Sequence, residues 1–411
     1  MENYKKKKVL IVTTSFPRRP GDFSGIFIFN LLSRLADNFE IYILAPYSPR
    51  AKKFEEWSGL SVYRFKYFWP FSWQQLCHGP GIVANLKRNK FLVLLVPFLM
   101  FFLFINLIYL VKKEKIEIVN AHWILPTGLV TLLARVFFRR PLIVTSHGPD
   151  ILVLKGRVFD WLRKITLKKA EAVTFISKTF AKQATNSYNI DLSKVAVISM
   201  GVDTELFCPS IEFKKQGEKQ LIQKFGFLPT QPILFFVGSL AKHKGIDYLI
   251  QAMKKIVLKF PSTNLLIAGE GHLRTDLEKL ARNLGLERKV FFLGGINNKD
   301  LPPFYNLVNV FVLPSLVEGL PVAIMEAMSC GCPVIATPVG GVADLIENGV
   351  TGLLIKTKSE EAITQAVIKL LSDNTLRESI IQNARKKIEE NYDWNIIASK
   401  FEKLYDKVSI K

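Results

Sequence analysis

The 411-residue chain has little cysteine. Its four cysteines, Cys77, Cys208, Cys330 and Cys332, include no pair in CxxC spacing, and the last two flank a glycine within an apolar segment. This pattern argues against a disulfide framework and against a zinc site. It favours a reducing compartment.

Acidic residues are scarce relative to basic ones. The chain has 35 Asp and Glu against 56 Lys and Arg, which gives a formal net charge of +21. Such a charge predicts polyanionic partners: nucleic acid, anionic lipid headgroups or phosphorylated ligands. The sequence has no basic patch interleaved with aromatic residues, which is the pattern of a nucleic-acid-binding surface, so we expect no nucleic-acid partner. The basic run Lys5–Lys8 precedes a short apolar stretch that Thr13 ends, which is typical of a first β-strand rather than a signal peptide.

Short apolar runs alternate with amphipathic helical segments, which predicts parallel sheets with right-handed crossover helices. The length fits two domains. The predicted strands are Val9–Val12, Ile41–Ala45, Ile116–Asn120, Leu142–Thr145, Ala172–Ile176 and Val195–Ile198, then Ile233–Val237, Leu265–Ala268, Val290–Leu293, Val310–Leu313, Pro333–Ala336 and Gly352–Ile355.

The fold class is therefore α/β, with two doubly wound Rossmann-like domains facing a central cleft. The strand pattern restarts after a segment that contains Cys208, Pro209 and several lysines. We predict a first domain over residues 1–205 and a second over 206–393. A final helix over about 394–411 carries one apolar face, which suits packing back on the first domain or on the second.

One segment breaks the alternation. Phe91 to Val111 carries no charged residue, and lysines and an arginine flank it on both sides. Its length qualifies it as a membrane span, but basic residues at both ends give no orientation signal. We favour a helix of the first domain that lies on or dips into the membrane interface. A buried core helix and a true span are the alternatives.

The stretch from Pro314 to Gly349 carries the strongest chemical signal. Glu318 lies in a loop after a predicted strand, and Glu326 lies inside the helix that follows. Amides at the start of this helix suit a diphosphate, because the positive end of the helix dipole lies there. A buried, unpaired carboxylate is costly, so Glu326 among apolar neighbours is expected to have a purpose; a solvated helix face is the alternative. The predicted diphosphate-binding residues at this helix start are Gly319, Leu320, Pro321 and Val322.

The spacing of Glu318 and Glu326 resembles the Glu-x7-Glu motif of family-4 (group 1) retaining glycosyltransferases, which have the GT-B fold. The resemblance extends over nearly the whole chain and includes Phe311–Ser315, Gly331–Pro333 and Gly340–Gly341. It implies that Glu318 contacts the sugar of a nucleotide-sugar donor and that Glu326 contacts its ribose.

A second predicted phosphate site follows the strand that ends at Val237. Gly238 begins a loop at the carboxyl end of this strand, where such folds bind phosphates, and Lys244 supplies a point charge for the diphosphate. The family usually has arginine after this glycine, and this chain has Ser239. Lys242 or His243 could supply the missing cation. A solvated lysine at a helix start is the alternative for Lys244.

Four residues in other loops complete the predicted site. Gly269 opens a turn that suits contact with the nucleotide base; an ordinary turn without a ligand is the alternative. Gly25 closes a turn-rich loop whose N–H groups could approach the diphosphate. His147 ends a predicted strand, and the family places a histidine here that contacts the donor sugar or helps to place the acceptor; a satisfied core histidine is the alternative. His122 also stands at the end of a predicted strand, and its side chain lines either the cleft or the core.

The resemblance implies glycosyl transfer with retention of configuration, by front-face displacement, with Glu318, His147 and Lys244 as the catalytic residues. No DxD pair stands at a strand end, so we expect no metal and no other cofactor. The expected partners are a nucleotide-sugar donor, a saccharide or lipid-linked acceptor, and an anionic membrane surface. The expected location is the cytoplasm, peripheral on the inner face of the membrane, in cell-envelope polysaccharide or glycolipid synthesis.

Two alternatives stay open. One is a sugar-nucleotide epimerase or phosphorylase of the same fold. The other is a non-catalytic relative that binds nucleotide or lipid, because Ser239 replaces the usual arginine.

Overall fold

The computed structural model describes residues 6–19, 22, 25–49, 51–77, 79, 81–226 and 230–409. Lys5 of the basic run and the last two residues of the predicted final helix lie outside these ranges. The chain divides into two compact units, Met1–Ser199 with Trp394–Lys411, and Met200–Asp393.

The first unit is an α/β layer structure. Its elements, in chain order, are β1 (Lys7–Val12), α1 (Ile26–Leu35), β2 (Phe39–Pro46), β3 (Phe54–Trp57), β4 (Leu60–Phe65), α2 (Ile82–Arg88), α3 (Val96–Lys113), β5 (Ile118–His122), α4 (Leu129–Ala134), β6 (Leu142–Ser146), α5 (Pro149–Leu152), α6 (Arg157–Lys169), β7 (Ala172–Phe175), α7 (Lys178–Tyr188) and β8 (Val195–Val197).

The second unit repeats the arrangement. Its elements are α8 (Ile211–Phe225), β9 (Ile233–Val237), α9 (Ile246–Lys259), β10 (Asn264–Ala268), α10 (Arg274–Asn283), β11 (Val290–Gly294), α11 (Pro302–Leu307), β12 (Val310–Leu313), α12 (Val322–Ser329), β13 (Val334–Ala336), α13 (Val342–Leu345), β14 (Leu353–Leu354), α14 (Glu360–Ser372) and α15 (Asn374–Asn391); α16 (Trp394–Ser409) follows and belongs to the first unit.

The first sheet has eight strands in the order β3-β4-β2-β1-β5-β6-β7-β8. Only the β3–β4 pair is antiparallel. Val9 of β1 stands between Ile41 of β2 and Ile118 of β5, so the middle of the sheet is mainly apolar, as in sheets covered on both faces, with Asn120 and His122 of β5 as buried polar residues. The strand order reverses between β1 and β5, and ligands of such sheets bind at the carboxyl edge of a reversal.

The second sheet is wholly parallel, in the order β11-β10-β9-β12-β13-β14. Its order reverses between β9 and β12. The carboxyl ends of these two strands therefore present the loops after Val237 and Leu313 side by side, and both loops contain predicted site residues.

Helix α16 packs on the first unit rather than the second. It contacts α1, its Tyr405 ring meets Phe39 edge-on at 5.4 Å, and the Tyr405 hydroxyl accepts a hydrogen bond of 2.9 Å from Asn120 of β5. The boundary lies between Ser199 and Met200, a few residues before the predicted one. One strand differs in kind from the prediction. β8 is an edge strand with Val197 exposed, and not a buried one.

Helix α3 corresponds to the uncharged segment, and its two faces differ. Leu99, Leu103 and Leu107 are buried, and the helix contacts β2 and β4. The interpretation as a wholly buried core helix is therefore wrong, because the opposite face is exposed. By length and composition the stretch Lys90–Lys113 could cross a membrane. We call the following exposed residues the apolar surface: Trp69, Phe71, Trp73, Phe91, Leu94, Phe98, Phe101, Ile105 and Tyr109.

Candidate active site

The Lys244–Glu318 pair lies where the second sheet reverses its strand order. Lys244 ends a short 3-10 turn after β9, and Glu318 lies in the loop after β12. The Lys244 Nζ is 2.6 Å from Glu318 Oε1, and the Ser315 hydroxyl donates to the same oxygen at 2.6 Å. Both charged side chains are largely buried, with 15% and 8% exposure. The alternative of a solvated Lys244 is therefore wrong.

The two loops that hold this pair are joined by backbone hydrogen bonds. Leu316 N–H donates to the His243 carbonyl at 2.7 Å. Partial burial lowers the pKa of the His243 imidazole, and the positive charge of Lys244 lowers it further. A neutral His243 is a poor substitute for the arginine that the family usually has, and the exposed Ser239 carries no charge.

Glycine is required at the loop after β13, next to Glu318. Gly340 has φ of 59°, and a Cβ atom there would lie 2.0 Å from the Glu318 carbonyl oxygen. Gly341 N–H donates to the Gly319 carbonyl at 2.7 Å. A side chain at 340 would push the Glu318 backbone away, so the Gly340–Gly341 pair fixes the position of the predicted sugar-binding carboxylate.

Helix α12 begins at Val322, with Pro321 as its cap residue and without a hydrogen bond from any capping side chain. Gly319, Leu320, Pro321 and Val322 thus form the approach to this helix start, as the sequence predicts. The amides of a helix start with no capping side chain suit an anion.

Glu326 lies in the second turn of α12 and is 4% exposed. Its two oxygens accept hydrogen bonds from Asn298 Nδ2 at 2.6 Å and from the Tyr305 hydroxyl at 3.0 Å. Burial raises the pKa of the Glu326 carboxyl to about 7, and the two donors oppose that rise. The alternative of a solvated helix face is wrong. The sequence did not indicate Asn298 or Tyr305, which come from the connection between β11 and β12.

The turns after β9 and β10 are adjacent. Gly238 N–H donates to the Ala268 carbonyl at 3.0 Å, and Gly269 N–H donates to the Gly294 carbonyl at 2.8 Å. Leu240 N–H donates to the Glu270 carbonyl at 2.9 Å, so the two turns are also bonded two residues further along. The structure therefore brings Gly238 and Gly269 to one edge with Lys244.

In the first unit, Gly25 precedes α1 with φ of 72°, and a Cβ atom there would lie 2.6 Å from the Ser15 carbonyl oxygen. Phe27, in the first turn of α1, meets the ring of His147 at 5.0 Å. Gly25 and His147 therefore belong to one edge of the first sheet. Pro20, Gly21 and Phe23 of the same loop lie outside the described residues.

His147 follows β6 and is buried. Its Nε2 is 3.1 Å from Nδ1 of His122 at the end of β5. Burial lowers the pKa of His122 to about 3, and burial with the neighbouring ring lowers that of His147 well below its usual value. Both rings are therefore neutral near pH 7. Among the described residues, no group of three or more His, Cys, Asp and Glu side chains is arranged to hold a metal ion.

Comparison with known proteins identifies the family. Residues 217–387 match the family of group 1 glycosyl transferases, and residues 24–206 match glycosyltransferase family 4. An uncharacterized glycosyltransferase of Methanocaldococcus jannaschii is 31% identical over 300 residues, which covers 71% of this chain and 75% of that protein. The chain belongs to the group 1, family-4 glycosyltransferases.

Two relatives of this glycosyltransferase have names that state a reaction. The UDP-Gal:α-D-GlcNAc-diphosphoundecaprenol α-1,3-galactosyltransferase of Escherichia coli is 30% identical, over 74% of this chain and 77% of that protein. The GDP-mannose-dependent α-(1-6)-phosphatidylinositol monomannoside mannosyltransferase of Mycolicibacterium smegmatis is 26% identical, over 94% and 95%. These matches favour transfer over the epimerase, phosphorylase and non-catalytic alternatives.

Solved structures support the fold of the glycosyltransferase. Sucrose-phosphate synthase from Thermosynechococcus elongatus superposes with a TM-score of 0.78 at 21% identity, over 98% of this chain and 99% of that one. HepE from Anabaena, in complex with UDP, has a TM-score of 0.77 at 19% identity, over 97% and 100%. The fold class with two Rossmann-like domains of the GT-B type is thus confirmed.

Proposed function

We propose that this glycosyltransferase moves a sugar from a nucleoside diphosphate donor to a lipid-linked saccharide, with retention of configuration. The Lys244–Glu318 pair beside the start of α12 carries the proposal. It combines a cation for the diphosphate, a carboxylate for the sugar hydroxyls and helix amides for the phosphate oxygens. The names of the relatives include UDP-galactose and GDP-mannose, so a UDP- or GDP-sugar is the expected donor.

In the proposed reaction the bond between the anomeric carbon and the diphosphate oxygen breaks. The acceptor hydroxyl oxygen attaches to the same face of the sugar, and its proton passes to the departing phosphate. Lys244 and the α12 amides stabilise the negative charge that develops on that phosphate. Glu318 orients the sugar without forming a covalent bond, and Glu326 holds the ribose.

The proposal of a lipid-linked acceptor rests on the apolar surface. Phe98, Phe101, Ile105 and Tyr109 stand three or four residues apart, on the exposed face of α3. The ring of Phe68 links Phe98, at 5.2 Å, to Trp73, at 6.0 Å, so the surface extends beyond the helix. An exposed apolar surface of this kind marks an interaction site.

Basic residues stand at both ends of this helix. Lys87, Arg88 and Lys90 precede it, Lys112 and Lys113 are its last two residues, and all five are exposed. A helix that lies in the plane of an anionic interface gains from basic residues at both ends, at about 1 kcal/mol for each. We therefore propose that the enzyme binds peripherally to the inner, cytoplasmic face of a membrane and takes its acceptor there.

A screen of UDP-, GDP- and ADP-sugars for transfer to a short lipid-linked saccharide tests the transferase. Lys244→Met should lower kcat by about 100-fold, since one electrostatic donor to the leaving group is lost. NMR of the first product formed should show the configuration of the donor. A product of inverted configuration would contradict the retaining mechanism, and isomerised donor without transfer would contradict the proposal as a whole.

Flotation with vesicles of phosphatidylglycerol and phosphatidylcholine tests the membrane step. The double substitution Phe98→Asp and Phe101→Asp should abolish flotation and leave transfer to a soluble acceptor intact. Leu258→Asp is the matched control, because Leu258 is an exposed apolar residue of α9, in the second unit. Flotation that survives the double substitution, or that is lost equally with Leu258→Asp, would contradict the assignment of the apolar surface.

A further inference from the structure

Three ring side chains meet where β5 and β6 end. His122 Nδ1 and His147 Nε2 are 3.1 Å apart, and the indole of Trp123 lies 4.5 Å from the His147 ring, centroid to centroid. We call His122, Trp123 and His147 the ring cluster. Phe27 of α1 contacts His147 as well, so the imidazole at 147 is packed between aromatic side chains.

Each member of the ring cluster has one buried nitrogen with no hydrogen-bond partner among the described residues. These atoms are Nε2 of His122, Nε1 of Trp123 and Nδ1 of His147. Buried polar atoms without a partner are rare, and each calls for an explanation such as a water, an ion or a ligand. Because the three nitrogens belong to rings in contact with one another, one ligand is the simplest common explanation.

The number of donors follows from the chemistry of the rings. Burial keeps both imidazoles neutral, so each ring carries one N–H and one lone pair. The bond between the rings uses one N–H and one lone pair. Whichever ring donates, one outward imidazole nitrogen then holds a hydrogen and the other holds a lone pair. With the indole N–H of Trp123, the ring cluster offers two donors and one acceptor.

A set of two hydrogen-bond donors and one acceptor restricts the kind of ligand that can bind to the ring cluster. A phosphate or carboxylate only accepts hydrogen bonds, so it would meet the imidazole lone pair with negative charge. An ammonium group only donates and would meet two N–H groups. Hydroxyl groups accept and donate, and sugars carry several of them in fixed positions.

We propose that Trp123 adds a second hydroxyl-binding donor beside the sugar contact that the family resemblance implies for His147, and that His122, through its bond to His147, fixes which nitrogen of His147 carries the hydrogen. The inference rests on the proposed sugar transfer and assigns roles to two further residues. Trp123 donates directly to the sugar, and His122 is a positioning residue. The backbone of Trp123 has φ of 81°, an uncommon value outside glycine, and its N–H donates to Thr145 at 2.9 Å. The hydrogen bond to Thr145 of β6 holds this strained backbone conformation, and the indole then lies against the His147 ring.

The tautomer of His147 can be observed directly. The chain has five histidines, so ¹⁵N-histidine labelling gives a spectrum that single substitutions assign. We expect one neutral tautomer of His147 in the wild type. His122→Leu should give a mixture of both tautomers, whereas His122→Asn keeps a hydrogen-bonding group at the place of Nδ1 and should restore a single one.

Kinetics on the same variants test the link to transfer. His122→Leu should lower kcat by about 10- to 100-fold with a smaller change in the donor KM, and His122→Asn should recover most of the loss. Trp123→Phe should raise the donor or acceptor KM by about tenfold. The control is Thr174→Val, which removes a buried, unpartnered hydroxyl from the neighbouring strand β7 and should change neither spectrum nor rate.

Two outcomes would overturn the inference. One is a wild-type His147 that already populates both tautomers. The other is a His122→Leu variant with unchanged kcat, which would mean that water alone satisfies the ring cluster. The spectrum does not depend on activity, so a failed transfer assay with a single His147 tautomer would count against the proposed function and not against the bond between the rings.

Discussion

Replacing Glu326 by glutamine should stabilise the protein in alkaline solution. The wild-type carboxyl is buried, and its pKa is about 7 in the folded protein against an ordinary value of 4.5. The folded-state pKa lies above the unfolded one. The stability contributed by the protonated group is therefore complete below about pH 4.5 and is lost as the pH rises through 7.

The size of the effect follows from the same two values. The change from 4.5 in the unfolded chain to about 7 in the folded protein corresponds to about 3 kcal/mol in total, most of which falls between pH 5 and pH 8.5. Glutamine has the same shape and cannot ionise, so it avoids this loss. The melting temperature of Glu326→Gln relative to wild type should rise by roughly 5–10 °C between these pH values.

Scanning calorimetry at pH 5 and pH 8.5 measures this difference, with Glu287→Gln as a control at an exposed position. The same variant should bind the nucleotide-sugar donor about 10- to 100-fold more weakly, because a charged acceptor for the ribose hydroxyls is lost. A melting difference that is equal at both pH values would refute the reasoning. It would mean that the carboxyl is not buried in the way that its bonds to Asn298 and Tyr305 require.

Four further substitutions address the other parts of the site. Lys244→Met should destabilise the protein by about 3 kcal/mol in chemical denaturation, and adding Glu318→Gln should recover most of that loss, because the first change alone leaves a buried charge unpaired. Gly340→Ala should weaken donor binding measured by calorimetry, since its Cβ would displace the Glu318 backbone; unchanged affinity would show that the loop has room to move. Ser239→Arg should raise kcat/KM for the donor at an unchanged melting temperature, and a steady-state assay that shows no gain would mean that a cation at position 239 does not contribute to donor use.

The sheets were predictable because parallel strands buried on both faces are short apolar runs. This signal located Ile233–Val237 and Val310–Leu313 with the same bounds as β9 and β12. The β3–β4 hairpin was missed because β3 has two glutamates in four residues and is half-exposed. A turn signal was nevertheless present, since Ser58 and Gly59 between these strands both have positive φ.

The site was predictable only in its parts. The Glu-x7-Glu spacing indicated both carboxylates, and the apolar neighbours of Glu326 indicated its burial. The partners of Glu326 were not predictable, because Tyr305 also reads as an ordinary apolar position of α11, and Asn298 as an ordinary loop residue. Only the strand order brings the β11–β12 connection over the face of α12 that carries Glu326.

The two carboxylates of the motif have different partners, and this difference bears on donor binding. Glu318 is bonded to a cation, Lys244, whereas Glu326 is bonded to two neutral donors. In the proposed donor complex a diphosphate at Lys244 shares that cation with Glu318, and we expect the sugar hydroxyls to serve as further donors to the carboxylate. Ribose hydroxyls bound at Glu326, as proposed, would likewise compete with Asn298. Since each new bond would replace an existing one, we expect a modest net affinity for the donor and a strict requirement for matching hydroxyls. Discrimination between sugars therefore depends on what a wrong sugar leaves unpaired at Glu318.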